Sequence, residues 1–135
     1  MGGMEKTLDG VRVLVAEDDE DMRALLEAVL EMAGAVVCPV GSVVEASAAL
    51  GANAFDVLVS DVRMLGGAGT ELARDLKEGV YGVPIPAVAL SGFGSMRDLG
   101  AASNAGFDAQ LAKPVDNDEL VETVARVVRG ARRAA

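Results

Sequence analysis

The chain has 135 residues, with no histidine or tryptophan, one cysteine, and only four aromatic residues: Phe55, Tyr81, Phe93 and Phe107. Each shortage removes a class of chemistry. Without histidine, the usual zinc clusters and the Ser-His-Asp and Cys-His nucleophile systems cannot be assembled. Cys38 alone closes no intrachain disulfide. Four scattered aromatics make no stacking platform for bases. No apolar run approaches the roughly 18 residues of a membrane span, and the opening MGGMEKTLDG lacks the basic start and apolar stretch of a secretory signal. A cytoplasmic location with no membrane partner is expected. Basic charge is also scarce: 12 Lys and Arg against 21 Asp and Glu leave a net charge of −9, which repels nucleic acid and anionic lipid. Arg126, Arg129, Arg132 and Arg133 read as the basic end of a helix complementing its dipole, so no nucleic-acid partner is expected.

What is present is a regular alternation. Val11 to Ala16 is a β-branched, apolar run, followed by Met22, Leu25, Leu26, Val29 and Met32 at helical spacing. Gly34 ends that helix and Ala35 to Val40 forms a second strand. Ser42 with Glu45 forms a capping box opening a helix through Leu50. Asp56 to Ser60 is a third strand, Thr70 to Glu78 a helix, and Ile85 to Leu90 a fourth strand. Ser95 to Asn104 is a weaker helix, and Ala109 to Ala112 a fifth strand. Asp116 and Glu119 cap a last helix that turns Leu120, Val124, Val127 and Val128 to the core. Strands this apolar are buried on both faces, which predicts a parallel sheet with helices on each side. The expected fold class is α/β, a flavodoxin-like doubly wound (βα)5 three-layer sandwich with parallel sheet order 2-1-3-4-5. A single domain is expected over residues 9–130, with residues 1–8 and 131–135 as loose termini.

In such a sheet, ligands bind beyond the carboxyl ends of the strands where the strand order reverses, between the first and third strands. Glu17 and Asp18 follow the first strand and Asp61 follows the third, so three carboxylates converge. Two bare carboxylates about 4 Å apart repel by roughly 4 kcal/mol at an effective dielectric near 20, so a cation is needed. A hard divalent ion suits an all-oxygen donor set, and Lys113 at the end of the fifth strand supplies an ammonium. Asp19, Glu20 and Asp21 are assigned to a helix N-terminus, where the dipole favours acids. Ser91 after the fourth strand and Lys113 taken singly read as a cap and a surface cation. With the carboxylates, they form a set suited to phosphoryl transfer, in which positioning and charge neutralisation carry most of the catalysis.

Four segments, each at a strand end and in this order, resemble the receiver domain of two-component response regulators: Val13-Leu14-Val15-Ala16-Glu17-Asp18, Asp56 to Met64, Leu90-Ser91-Gly92, and Leu111-Ala112-Lys113-Pro114. The resemblance runs from about Val11 to Arg129. It implies that Asp61 is the phosphoacceptor, receiving a phosphoryl group from a phosphohistidine of a sensor histidine kinase or histidine phosphotransfer protein. Mg2+, with Mn2+ as a substitute, would be held by Asp18, Asp61 and the backbone carbonyl of Arg63, with Glu17 acting through water. Lys113 would bind phosphoryl oxygens, Ser91 would hydrogen-bond them as a switch, and the Lys113-Pro114 bond would be cis. A downstream protein partner and a phosphorylation-dependent dimer fit the same resemblance. Such a domain is a signalling module rather than an enzyme, although it assists its own phosphorylation and dephosphorylation.

Three positions depart from the family pattern. Gln110 stands where an aromatic residue or histidine usually couples to the hydroxyl switch. Leu65 replaces a frequent proline before the run Gly66-Gly67-Ala68-Gly69, whose glycines read as permitting turn angles. Arg63 occupies a variable position two residues past Asp61. The alternative reading is a phosphorylation-independent interaction or dimerisation module on the same fold. A magnesium-dependent phosphatase is disfavoured, because Arg63 stands where that class places a second acid.

Overall fold

A computed structural model describes residues 7–64, 67–92 and 105–134. Its elements follow the chain as β1 (Arg12–Ala16), α1 (Glu20–Met32), β2 (Val36–Val40), α2 (Val43–Ala52), β3 (Val57–Asp61), α3 (Gly69–Lys77), β4 (Ala87–Ser91), β5 (Ala109–Ala112) and α4 (Asn117–Ala134). The five strands make one sheet in the order β2-β1-β3-β4-β5, with every pairing parallel. This is the expected doubly wound order. A short antiparallel ladder, Arg63–Met64 against Gly67–Ala68, lies between β3 and α3, in a stretch read from sequence as a plain loop. The helix expected over Ser95 to Asn104 lies outside the described residues.

Alternation along the strands divides the core in two. Val13 and Val15 of β1, Val57 and Val59 of β3 and Val88 and Leu90 of β4 face Leu26 and Leu30 of α1 and Leu120, Val124 and Val128 of α4. Leu14, Ala16, Leu58, Ala87 and Ala89 point the other way, to Ala46 and Leu50 of α2 and Leu72 and Leu76 of α3. A period of two in each strand therefore feeds two helical layers. The central strands β3 and β4 are buried throughout. Edge strand β2 is not, with Val36 and Pro39 exposed.

Capping follows the expected chemistry. The Asp19 carboxylate accepts from the Met22 amide at 2.9 Å and opens α1. Ser42 Oγ accepts from the Glu45 amide at 3.1 Å, while Glu45 reaches back to the Gly41 amide at 2.9 Å. The Asp116 carboxylate accepts from the Glu119 amide at 2.9 Å. The Lys113-Pro114 peptide bond is cis, as expected.

Some expectations are corrected. Leu25 is 49% and Met32 75% exposed, and Leu30, absent from the expected apolar face, is fully buried. At 100° per residue, Leu26 and Leu30 stack on one line toward the sheet, which turns Leu25 and Met32 away. Nor is the start of the described chain loose at Leu8, whose side chain is fully buried and whose amide donates to Ala33 O at 2.8 Å. Gly34, at φ +100°, ends α1 and leaves that carbonyl available. α4 continues as helix through residues 131–134, beyond the expected limit of 130.

Candidate functional site

Glu17 and Asp18 leave β1 at its carboxyl end, and Asp61 is the last residue of β3, the neighbouring strand. The reversal of strand order thus places one carboxylate oxygen from each of the three within 4.8 Å of one another. Glu17 is fully buried, Asp61 is 9% exposed and Asp18 is half-buried. Convergence at the switch point is therefore built by topology, not by a local motif.

Lys113, immediately after β5, carries the neutralising charge. Its Nζ donates to Asp61 Oδ2 at 2.7 Å and lies 2.7 Å from Glu17 Oε1. The second contact is an ion pair to a fully buried carboxylate. Glu17 Oε2 accepts from the Asp19 amide at 3.0 Å. Burial pushes the Glu17 carboxyl above its usual pKa, and Lys113 and the Asp19 amide pull it back only in part. Burial works against the Lys113 ammonium, but its contacts with Asp61 and Glu17 prevail and hold its pKa above the ordinary lysine value.

Ser91 ends β4, two strands from β1. Its side chain is buried and its Oγ has no hydrogen-bond partner among the described residues. It pairs in register with Ala112, and its carbonyl accepts from the Lys113 amide at 2.9 Å, so Ser91 and Lys113 stand at neighbouring strand ends. The Arg63 amide donates to Asp61 Oδ1 at 3.3 Å, and Arg63 is an exposed residue. Gln110 lies half-buried within β5, opposite Ala89 and two residues before the partner of Ser91.

Two features of the site escaped sequence reasoning. Gly69 opens α3 against the end of β3: its amide donates to Val62 O at 2.8 Å, and a Cβ there would overlap the Asp61 carbonyl oxygen and come within 2.8 Å of Ser60 Oγ. Gly69 is therefore required for close approach, not for a left-handed backbone angle, which it does not adopt. Its place directly before a predicted helix was the available signal. Arg23 of α1 reaches back so that its guanidinium donates to the Glu17 carbonyl at 3.0 Å, and nothing in the sequence marked it.

The donor set is oxygen only and contains three converging carboxylates, which fits a hard divalent cation such as magnesium. Among the described residues no helix is long and apolar enough to cross a membrane. Residues 13–125 match the family described as response regulator receiver domain. The chain is 39% identical over 119 residues to an uncharacterized 14.6 kDa protein of Leptolyngbya boryana, covering 88% of this chain and 91% of that one. It spans only 13% to 52% of several longer curated relatives. Among solved structures it resembles a putative response regulator from Chloroflexus aurantiacus, with TM-score 0.85 and 29% identity over 90% of this chain and 99% of that one. It also resembles the receiver domain of a sensor histidine kinase from Pseudomonas aeruginosa, solved with magnesium coordinated in its active-site cleft, with TM-score 0.81 and 25% identity over 88% and 98%. With the family match spanning most of the chain and the parallel sheet ending in this acidic corner, the chain belongs to the response regulator receiver family of two-component signalling.

Proposed function

We propose that Asp61 accepts a phosphoryl group from a phosphohistidine of a sensor histidine kinase or histidine phosphotransfer protein, in the cytoplasm, and that the domain changes conformation in response. The observation that carries this reading is the convergence of Glu17, Asp18 and Asp61 within 4.8 Å, with Lys113 Nζ already on Asp61 Oδ2 at 2.7 Å. An Asp61 carboxylate oxygen attacks phosphorus, the phosphorus–nitrogen bond breaks, and the imidazole leaves with the electron pair. The product is an aspartyl phosphate.

Asp18, Asp61 and the Arg63 carbonyl would hold magnesium, or manganese in its place, with Glu17 acting through water. The relative from Pseudomonas aeruginosa, with magnesium in its cleft, supports this assignment. When bound, the ion would neutralise charge on the carboxylates and the incoming phosphoryl oxygens. Lys113 stays with the charge it neutralises and follows the new phosphoryl oxygens. Ser91 supplies the switch. Its buried hydroxyl is a donor without an acceptor among the described residues, and a phosphoryl group brings about −1.5 to −2 charge and strong acceptor oxygens to the same corner. Gln110, in place of the usual aromatic, favours a switch in which Ser91 moves without an aromatic rotamer following it.

The test is intact-mass measurement after incubation with acetyl phosphate and Mg2+. One phosphoryl adduct is expected, absent from Asp61→Asn and from metal-free samples. No adduct at short times, with Mg2+ binding verified, supports the phosphorylation-independent module instead.

A further inference from the structure

We infer that Arg23 is a positioning residue for the cation site: it fixes the backbone from which Glu17 and Asp18 project, and Gly41 provides the space it needs. The inference rests on the magnesium reading above. The β1–α1 connection, residues 17–19, carries two of the three converging carboxylates. Several contacts hold it, Lys113 against Glu17 Oε1 and the Met22 amide on the Asp19 carboxylate among them. The Glu17 amide donates to Val40 O at 3.0 Å, Glu17 Oε2 accepts from the Asp19 amide, and the Glu17 carbonyl accepts from Arg23 NH1 at 3.0 Å. The last comes from a side chain of α1 and grips the backbone itself.

Arg23 can make this contact because side chains on a helix lean toward its N-terminus. The Arg23 amide bonds Asp19 O in the first turn of α1, so the guanidinium extends back over the connection it stabilises. It also crosses the β2–α2 connection. A Cβ at Gly41 would stand 2.9 Å from Arg23 NH1, 3.6 Å from Cζ and 3.4 Å from Glu45 Oε1. The guanidinium thus packs against Gly41 and ties two loops at the carboxyl edge of the sheet. Its effect on Glu17 runs through the carbonyl and the backbone, since the charges acting on the Glu17 carboxylate are those of Lys113 and Asp61.

Groups that orient metal ligands change affinity about 10- to 100-fold when removed. The experiment compares Mg2+ titrations, by calorimetry, of the wild type, Arg23→Met, Gly41→Ala and the double variant, alongside metal-free denaturant unfolding of each. Arg23→Met is expected to bind Mg2+ about 10-fold more weakly, with a smaller loss for Gly41→Ala, which displaces the guanidinium while leaving its charge. The double variant should bind no more weakly than Arg23→Met, because both changes break one contact. Mg2+ affinity unchanged in Arg23→Met overturns the inference. So does weakening that only tracks a fall in metal-free stability, which marks a purely structural role. If Arg23→Met does not fold, undiminished affinity in Gly41→Ala overturns it equally. A wild type that binds no Mg2+ fails the magnesium reading itself, a distinct result.

Discussion

At the residue scale, the site depends on one cation serving two buried acids. Lys113 Nζ lies 2.7 Å from both Glu17 Oε1 and Asp61 Oδ2, and removing one partner of a buried pair leaves the other charge uncompensated. Lys113→Met is therefore expected to lower metal-free stability at neutral pH by about 1–3 kcal/mol, read by denaturant unfolding. The pH dependence has a definite sign. Glu17 already has a folded pKa above its ordinary 4.5 because burial penalises the carboxylate, and Lys113 is the chief group opposing that rise. Its removal raises the folded value further. An acid whose pKa is higher folded than unfolded penalises the fold when ionised, and the penalty is relieved as pH falls through the folded value. The stability gap between wild type and variant should therefore narrow from neutral pH toward 4.5. A gap that widens on acidification would contradict the assignment. The acids and the lysine were legible because each stands at a strand end. That one ammonium touches both Glu17 and Asp61 was not legible, because residues 96 and 52 positions apart in sequence meet only through the sheet order. Gly69 and Arg23 escaped for a different reason: their contacts reach back only six to nine residues, but they depend on how a helix start folds over the preceding strand end, which residue type does not encode.

At the element scale, caps and alternation made the layers readable, and failures came where position in the sheet overrides composition. β2 reads as apolar, yet as an edge strand it leaves Val36 58% exposed. Its residues 36 and 40 turn their backbone polar groups to the β1 side, so 37 and 39 turn outward, and Pro39 removes one outward donor. An edge lacking a donor is a poorer template for pairing with another chain. On the far side of the molecule, Asp108 ties three elements. Its Oδ2 accepts from the Ala87 amide at 2.8 Å and from Lys77 Nζ at 2.7 Å, joining the end of α3 to the starts of β4 and β5. Asp108→Ala leaves the Ala87 amide without its acceptor at a buried residue and should cost about 1–3 kcal/mol. Asp108→Asn keeps an oxygen acceptor and should cost less, since an ion pair about one-third exposed contributes little. Equal losses in the two variants, measured by denaturant unfolding, would show that the ion pair and not the amide bond carries the effect.

At the scale of the whole molecule, the cation site and the fold share the same strands. Glu17 and Asp18 extend β1 and Asp61 ends β3, and these two strands sit side by side with cores on both faces. Unfolding therefore destroys the carboxylate cluster, in which Asp61 lies 43 residues along the chain from Asp18 and 44 from Glu17. A ligand that binds the folded form alone stabilises it by RT ln(1 + [L]/Kd), about 2.7 kcal/mol when the free ligand is 100 times Kd. For a chain of this size, that corresponds to a rise in melting temperature of roughly 5–15 °C. Mg2+ at that excess is expected to produce such a rise in the wild type, while Asp18→Asn, lacking a direct ligand, should lose most of it. Lys113→Met distinguishes site binding from general screening. Its uncompensated carboxylates should gain more from Mg2+ than the wild type does, whereas an equal concentration of monovalent charge should restore little to a buried cluster. A Mg2+ effect matched by sodium chloride at equal ionic strength would assign the stabilisation to the net charge of −9, not to the carboxylates at the switch of the sheet.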